Sequence, residues 1–162
     1  MKVLIVGGGG REHAIAARIA ENPAVTKVYA APGNGGMASF CELVPLKATD
    51  ITGITAFCKA QAVDYVVVAP DDPLCLGLVD MLKEKGIPAF GPEKKAAIIE
   101  GSKVFSKNLM RKYGIPTAAY ETFDDYAKAE AYIRQLPEGP VVVKADGLAL
   151  GKGVVLCQSR EE

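Results

Sequence analysis

The sequence has 162 residues, about half of them apolar, and its 19 basic side chains balance 19 acidic ones. This is the composition of an ordinary globular protein that can bury a core without disulfide bonds or metal ions to stabilise it. The charge balance argues against nucleic-acid and anionic-membrane partners, because no whole-molecule field attracts a polyanion. No apolar stretch is long enough to span a bilayer, and Val3–Val6 is too short for a signal peptide, so we expect a cytoplasmic protein.

The four cysteines give no sign of a metal site. Cys41, Cys58, Cys75 and Cys157 form no Cys-x-x-Cys pair and have no histidine nearby. Reduced thiols in a cytosolic protein are the simpler interpretation.

The sequence up to Phe90 alternates short apolar runs with amphipathic stretches. Strands are predicted at 3–6, 25–31, 43–46, 65–69 and 88–90, and helices at 11–21, from Asp50 or Thr52 to 61, and at 79–85 with Gly86 as the C-cap. This alternation predicts an α/β fold with a doubly wound, mainly parallel sheet. Right-handed crossovers place the loops Gly7–Arg11, Pro32–Gly36 and Pro70–Pro73 on one edge of that sheet.

The pattern changes after Gly91-Pro92. Helices are predicted at 93–100 and 103–113, a strand at 117–123, a helix at 124–136 with Asp124 as N-cap, and strands at 141–144 and 154–157. We therefore expect one domain at 1–100 and the start of a second, incomplete α+β domain at 101–162. This second part has too few elements to close a core, which favours a fragment of a longer protein.

The glycine-rich loop Gly7–Arg11 has the features of an anion site. Glycines between a buried strand and a helix let the backbone approach an anion, and the free N–H groups of the helix point at it. Arg11 adds a guanidinium suited to phosphate. The alternative is a tight turn without a ligand.

A dinucleotide site requires a pattern that this loop does not complete. Gly7 and Gly9 fit the Gly-x-Gly-x-x-Gly motif, but Glu12 stands where the third glycine belongs. The acidic residue expected at the end of the second strand is replaced by Ala30-Ala31-Pro32. The loop thus favours a mononucleotide-sized phosphate over NAD.

A second glycine-rich loop follows the apolar run Val141–Lys144. It departs from a Walker loop because Gly147 and Gly151 are one residue too close, Gly153 replaces the Ser/Thr that would hold magnesium, and a strand follows. A hairpin that covers nucleotide phosphates, with Lys144 as its strand lysine, is the better interpretation. A surface hairpin with solvated lysines is the alternative.

Five motifs follow one another along the chain. They are Gly7-Gly8-Gly9-Gly10-Arg11-Glu12-His13, Ala31-Pro32-Gly33-Asn34, Phe90-Gly91-Pro92, Glu100-Gly101-Ser102-Lys103 and the stretch from Lys144 to Val154. With these motifs in this order, the chain resembles, over essentially its whole length, the amino-terminal portion of the phosphoribosylamine–glycine ligases. This family, also called glycinamide ribonucleotide synthetases, belongs to the ATP-grasp superfamily.

The resemblance implies a pre-ATP-grasp substrate-binding domain at 1–100 and the start of an ATP-grasp domain, with its lid loop, at 101–162. The implied reaction joins glycine to 5-phosphoribosylamine through glycyl phosphate, with ATP converted to ADP and phosphate. It needs Mg²⁺ or Mn²⁺, whose ligands the resemblance places beyond residue 162. We accordingly expect the 162-residue chain alone to be inactive.

The resemblance also implies two sets of binding residues and no certain catalytic residue. Expected ATP contacts are Lys103, Lys144, Asp146, Gly147, Gly151, Lys152 and Gly153. Expected phosphoribosylamine contacts are Gly8, Gly9, Gly10, Arg11, Glu12, Pro32, Gly33, Asn34 and Asp71. Asp71 stands where the family commonly has glutamate, which puts its contact in question. His13 is expected to pack beside the first loop.

Three other functions remain as alternatives. An NAD(P)-linked oxidoreductase would use the first sheet, but the third glycine and the acidic residue are missing. A non-catalytic nucleotide- or phosphate-binding module is compatible with both loops. Another ATP-grasp carboxylate–amine ligase is disfavoured by the Gly-Arg-Glu-His and Pro-Gly-Asn motifs.

Overall fold

The computed structural model describes residues 1–149 and 152–162. The chain divides into two compact units, Met1–Ile98 and Ile99–Glu162, hereafter unit 1 and unit 2. No helix in the described ranges is both long enough and apolar enough to cross a membrane.

Unit 1 is built on a five-stranded sheet in which every neighbouring pair is parallel. Its strand order is β3-β2-β1-β4-β5. The strands are β1 (Lys2–Gly7), β2 (Lys27–Pro32), β3 (Glu42–Leu43), β4 (Tyr65–Val68) and β5 (Ala89–Phe90). This sheet confirms the predicted α/β class.

Five helices belong wholly or partly to unit 1. They are α1 (Gly10–Ala20), α2 (Ile51–Ala60), α3 (Asp71–Leu76), α4 (Leu78–Glu84) and α5 (Lys94–Gly101), which crosses the division between the units. Of the two residues predicted as the cap of α2, the structure selects Asp50, whose side chain accepts a hydrogen bond from Gly53 N at 2.9 Å. At the end of α4 the C-cap is Lys85, and Gly86 follows it in a left-handed conformation.

Both faces of the sheet are buried, which explains the continuous apolar runs of its central strands. One face packs against α2 and α4 through residues such as Leu4, Val66 and Leu82. The other face packs against α1 and the segment that follows β2, through residues such as Ile5 and Met37. Cys58 lies in the first of these clusters, where burial raises the pKa of its thiol to about 11.

Two segments that the sequence predicts as loops contain helical turns. Gly35–Ser39 forms a 3₁₀ helix whose N-cap, Asn34, accepts a hydrogen bond from Gly36 N. Pro70 is the N-cap of α3, and Asp71 and Asp72 in its first turn carry charges that suit the positive end of a helix. Gly35 and Pro70 thus lie where helical turns begin, whereas both were predicted as parts of loops. Strand β2 also begins at Lys27, two residues later than predicted.

Unit 2 contains two helices and a β-hairpin. The helices are α6 (Lys103–Lys112) and α7 (Tyr126–Gln135), and the hairpin pairs β6 (Val141–Lys144) with β7 (Val154–Cys157) in antiparallel register. The predicted hairpin is therefore confirmed. None of the described residues between 99 and 162 is buried.

The predicted strand at Thr117–Phe123 is wrong. This segment is anchored to α6 instead, since Lys107 Nζ donates to Thr117 Oγ1 at 2.7 Å and Tyr120 Oη donates to Asn108 Oδ1 at 3.1 Å. The Arg111 guanidinium also lies 4.3 Å from the centre of the Tyr120 ring. Side-chain hydrogen bonds to α6 hold this segment in place of the predicted pairing with another strand.

The predicted N-cap of α7 is off by one residue. Asp125, not Asp124, precedes the helix and accepts a hydrogen bond from Lys128 N at 2.9 Å. Two adjacent aspartates offer the same capping chemistry, so residue type alone does not choose between them.

Candidate functional site

The first candidate site lies where the sheet of unit 1 changes direction. Strand β1 pairs with β2 on one side and with β4 on the other. The chain therefore runs from β1 outward to β2 and β3, then crosses back to β4 and continues to β5 on the opposite side of β1. Ligands of open α/β sheets bind outside the carboxyl ends of the strands at such a switch point. Val6 is in register with Ala31 and with Val68, and the predicted gathering of three loops at one edge is thereby confirmed.

The first two loops are joined by backbone contacts. Gly33 N donates to Gly7 O at 3.1 Å, and Asn34 Nδ2 donates to Gly8 O at 3.0 Å. A Cβ atom on Gly8 would lie only 2.4 Å from Gly33 O, so a side chain there would force the loops apart. The peptide bond between Ala31 and Pro32 is cis. Pro32, Gly33 and Asn34 thus lie beside the glycine loop, as predicted, and the Asn34 amide holds the two loops together.

Arg11 spans the switch point. Its side chain donates from Nη2 to Ala69 O, just after β4, and from Nε to Glu12 Oε1, both at 3.0 Å. The side chain is nonetheless 62% exposed. A guanidinium carries five N–H donors, so these two bonds fix its orientation and leave others for an anion.

Glu12 has a structural position. Only 5% of the residue is exposed, its Oε2 accepts from Gly9 N at 2.7 Å, and its Oε1 accepts from Arg11. Gly9 is the N-cap of α1, and a glutamate at the third helical position satisfies the cap N–H as in one half of a capping box. Both oxygens are therefore used in ordering the loop.

The remaining predicted residues of this site differ in their surroundings. Gly10, the first residue of α1, is exposed, and a Cβ on it would meet no atom within 4 Å. Asp71 is the first residue of α3 and is partly exposed. Its neighbour Pro70 packs against the first loop, since a Cβ on Gly7 would lie 2.7 Å from Pro70 Cγ.

His13 lies in the first turn of α1, and its ring packs against the segment that follows β2. Its ring lies 5.5 Å from the ring of Phe40, centre to centre, and a Cβ on Gly36 would meet His13 Cε1 at 2.7 Å. These contacts give the residue a packing role.

The second candidate site is the hairpin loop of unit 2. Lys144 closes β6 opposite Val154, and Ala145 N donates to Gly153 O at 2.8 Å. Gly147 has a φ of +90°, which favours glycine. Gly153 lies so close to Ala149 that a Cβ would approach that side chain to 2.7 Å. The predicted contact at Gly151 lies outside the described residues.

Lys103 reaches this loop from the start of α6. Its Nζ donates to Gly147 O at 2.7 Å, across 44 residues of sequence. Lys144 and Lys152 are exposed. The structure thus brings Lys103 to the loop that Lys144 begins, which places several positive charges at one hairpin.

Asp146 faces the amino terminus of α6. It accepts hydrogen bonds from Ser102 Oγ at 3.0 and 3.2 Å and from Val104 N at 3.2 Å. Sequence reasoning missed Ser102, although its position before a lysine and a helix is typical of an N-cap. Ser102 is that cap, and its side chain accepts from Phe105 N.

The described residues form no cluster of metal-ligating side chains. In the ranges 1–149 and 152–162, no three His, Cys, Asp or Glu side chains come together in a way that could hold a metal ion. No chemical step is therefore assigned to a metal through the residues of this chain.

Comparison with known proteins decides the family. The model of the phosphoribosylglycinamide synthetase N domain matches residues 1–100, and the model of the phosphoribosylglycinamide synthetase ATP-grasp (A) domain matches residues 101–162. The chain belongs to the phosphoribosylglycinamide synthetase family. Its fold class and its resemblance were therefore correctly predicted.

The individual relatives are longer than this chain. It is 52% identical to phosphoribosylamine–glycine ligase from Mesorhizobium japonicum over all of its own length and 38% of the relative. It is also 52% identical to the ligase of the same name from Listeria innocua, again over its whole length and 39% of the relative. The chain thus spans a little over a third of the curated relatives that it matches.

Solved structures give the same picture of the family fold. The crystal structure of phosphoribosylamine–glycine ligase from Thermotoga maritima superposes with a TM-score of 0.75 at 33% identity, over 99% of this chain and 37% of that one. A biotin carboxylase from Campylobacter jejuni superposes with a TM-score of 0.79 at 16% identity, over 99% of this chain and 39% of that one. The second likeness shows a shared fold alone.

Proposed function

We propose that the protein takes part in the ATP-dependent ligation of glycine to 5-phosphoribosylamine, which gives glycinamide ribonucleotide, ADP and phosphate. Unit 1 binds the phosphoribosylamine, and unit 2 contributes to ATP binding. The observation that carries the proposal is Arg11, an exposed guanidinium fixed across the switch point beside a glycine-rich helix start. The names of the ligase relatives support the same reaction.

The phosphate of phosphoribosylamine binds in this proposal at the first loop. The backbone from Gly8 to Gly10 lets an anion approach the amino end of α1 without steric hindrance, and Arg11 adds a charge-assisted hydrogen bond. Glu12 acts indirectly, because its carboxylate holds Gly9 and Arg11 in place. Pro32, Gly33 and Asn34 form the wall beside the loop.

Asp71 is the residue of unit 1 proposed to contact the sugar. It follows Pro70 at the carboxyl end of β4, where a carboxylate can accept a hydrogen bond from a ribose hydroxyl or from the amine. Aspartate is one methylene shorter than the glutamate that the family commonly has at this position.

ATP phosphates interact in this proposal with the hairpin loop of unit 2. Lys103, Lys144 and Lys152 neutralise phosphate charge, and the backbone at Gly147 and Gly153 permits close approach. A glycine carboxylate oxygen attacks the γ-phosphorus and ADP leaves. The amine of phosphoribosylamine then attacks the acyl carbon of glycyl phosphate, phosphate leaves, and the nitrogen loses its extra proton to solvent.

The structure gives a physical reason against a dinucleotide enzyme. The position of the third motif glycine is occupied by the buried Glu12 carboxylate, which already accepts from Gly9 N. In a dinucleotide site the third glycine allows close packing of the helix on the strand, whereas here the Glu12 side chain packs against Gly7 at the end of β1. An NAD(P)-linked oxidoreductase is therefore disfavoured.

The proposal is tested by steady-state kinetics on the full-length product of the gene that encodes this sequence. In an assay of ADP release that depends on glycine and phosphoribosylamine, Arg11→Ala is expected to raise the KM for phosphoribosylamine about 10- to 100-fold, the equivalent of one charge-assisted hydrogen bond. Lys144→Ala should instead raise the KM for ATP. Each substitution should leave the KM of the other substrate within about threefold of the unmodified protein.

Arg18→Ala is the matched control, because Arg18 lies on the same helix and pairs with Glu21 at the surface. It should leave both constants unchanged. Equal effects of Arg11→Ala on both substrates would contradict the assignment of the two sites. Binding of ATP without any release of ADP would favour a non-catalytic binding module.

A further inference from the structure

Two neighbouring residues at the start of α6 bind two neighbouring residues of the glycine-rich loop. Ser102 Oγ donates to the Asp146 carboxylate, and Lys103 Nζ donates to Gly147 O. Val104 N adds a third hydrogen bond, to Asp146 Oδ1. The four residues Ser102, Lys103, Asp146 and Gly147 are called the clasp below.

The clasp orders groups that have little other support. All four of its residues are exposed or only partly buried, and no described residue of unit 2 is buried. Apolar packing therefore contributes little to the position of Lys103, whose flexible side chain costs conformational entropy to fix. Hydrogen bonds at both of its neighbours fix the helix start and the loop relative to each other.

The charges of the clasp are complementary. Partial burial opposes ionisation of Asp146, but the hydrogen bonds from Val104 N and Ser102 Oγ outweigh it and lower the pKa of this carboxyl. The group is therefore ionised at neutral pH, at the positive end of α6. Its oxygens already face donors, and a bare carboxylate would repel the phosphates of a nucleotide.

We propose that Asp146 is a positioning residue: through Ser102 and Val104 it fixes the glycine-rich loop to the start of α6 and so holds Lys103 where a nucleoside diphosphate or triphosphate binds. Asp146 itself does not touch the nucleotide. This inference rests on the proposed function, because it assumes that the hairpin loop binds ATP. It assigns the ATP contact to Lys103 and the ordering of that contact to Asp146.

The test measures binding of ADP to the full-length gene product by isothermal titration calorimetry. Asp146→Ala is expected to weaken ADP binding about tenfold, since it removes the hydrogen bonds that order the loop. Asp146→Asn should retain affinity within about threefold, because an amide still accepts from Val104 N and can donate to Ser102 Oγ. A group that acted by its charge on the nucleotide or on a metal would lose as much with asparagine as with alanine.

A double-mutant cycle with Lys103 separates positioning from general stability. If Asp146 acts through Lys103, adding Asp146→Ala to Lys103→Ala should weaken ADP binding by less than about twofold more. Additive losses would overturn the proposal, as would equal losses for the asparagine and alanine variants at Asp146. Failure of the unmodified protein to bind ADP would instead overturn the proposed function, on which the clasp depends.

The matched control is Asp125→Ala, which removes the N-cap of another helix of unit 2 and leaves the clasp intact. It should leave ADP affinity unchanged. Amide hydrogen exchange at Val104 checks the clasp without a nucleotide, since this amide should lose protection in Asp146→Ala and keep it in Asp125→Ala. Unchanged protection of Val104 in Asp146→Ala would also overturn the proposal.

Discussion

The two units of this chain hold their candidate sites by different means. In unit 1 the loops of the switch point follow strands that are buried on both faces. Among residues 1–149 and 152–162, all of the buried hydrophobic side chains belong to this unit. In unit 2 the described part of the hairpin loop is ordered by exposed polar contacts, such as those between Asp146 and Ser102. A phosphate loop on a packed sheet resists local change, whereas the position of the second loop depends on a few hydrogen bonds.

The largest expected effect is on the stability of the core of unit 1. Leu4→Ala should lower the free energy of unfolding of unit 1 by about 2–5 kcal/mol, because Leu4 is fully buried and its truncation leaves a cavity. Leu156→Ala removes the same atoms from unit 2, where Leu156 is 66% exposed, and should cost less than about 0.5 kcal/mol. Urea denaturation of the 162-residue chain, followed by hydrogen exchange for each unit, measures both values.

Similar losses for the two leucines would show that the exposed face of the hairpin is covered in solution. The comparison between a packed unit and a polar one would then be wrong.

An intermediate effect is expected within the first loop itself. Gly8→Ala should cost about 1–3 kcal/mol, since the new Cβ would lie 2.4 Å from Gly33 O and would have to displace backbone on a packed sheet. Gly10→Ala is the matched control, because the space around a Cβ at Gly10 is empty to 4 Å. Thermal unfolding of the two variants measures the difference. A Gly8→Ala protein as stable as Gly10→Ala would mean that the two loops separate at little cost.

The sequence predicted the parts of the fold that depend on local pattern. Apolar runs such as Val3–Val6 and Tyr65–Ala69 indicated the central strands of the sheet, because strands buried on both faces need continuous apolar residues. The hairpin at Val141–Cys157 followed from two apolar runs around a glycine-rich loop. Helix α3 and the 3₁₀ turn at Gly35–Ser39 were missed because proline and glycine, which are typical of loops, also occur where helices begin.

The errors in unit 2 have a tertiary cause. Thr117–Phe123 has the composition of a strand, but Lys107 and Asn108 of α6 bind it through side chains. Contacts of this kind are set by which residues meet in space. The same holds for the sites, since both loops could be identified by their glycines, whereas the partners of Glu12 and Asp146 were visible only in the structure.

The smallest expected effect compares the same hydrogen bond in the two units. Asp50 caps α2 and Asp125 caps α7, and each side chain accepts from the N–H three residues later at 2.9 Å. Replacement of either by alanine should cost about 1 kcal/mol locally.

The consequences of that equal loss should differ between the units. Helix α2 contributes the buried residues Ile54 and Cys58 to the core, so its amides should still exchange mainly through unfolding of unit 1 as a whole. Helix α7 has no buried residue, so Asp125→Ala should open it locally and raise its amide exchange about fivefold, the equivalent of 1 kcal/mol. Hydrogen exchange with mass spectrometry distinguishes the two cases at constant pH. Local opening of α2 to the same extent in Asp50→Ala would mean that packing against the sheet does not hold that helix, and the contrast between the two units would then rest on the central strands alone.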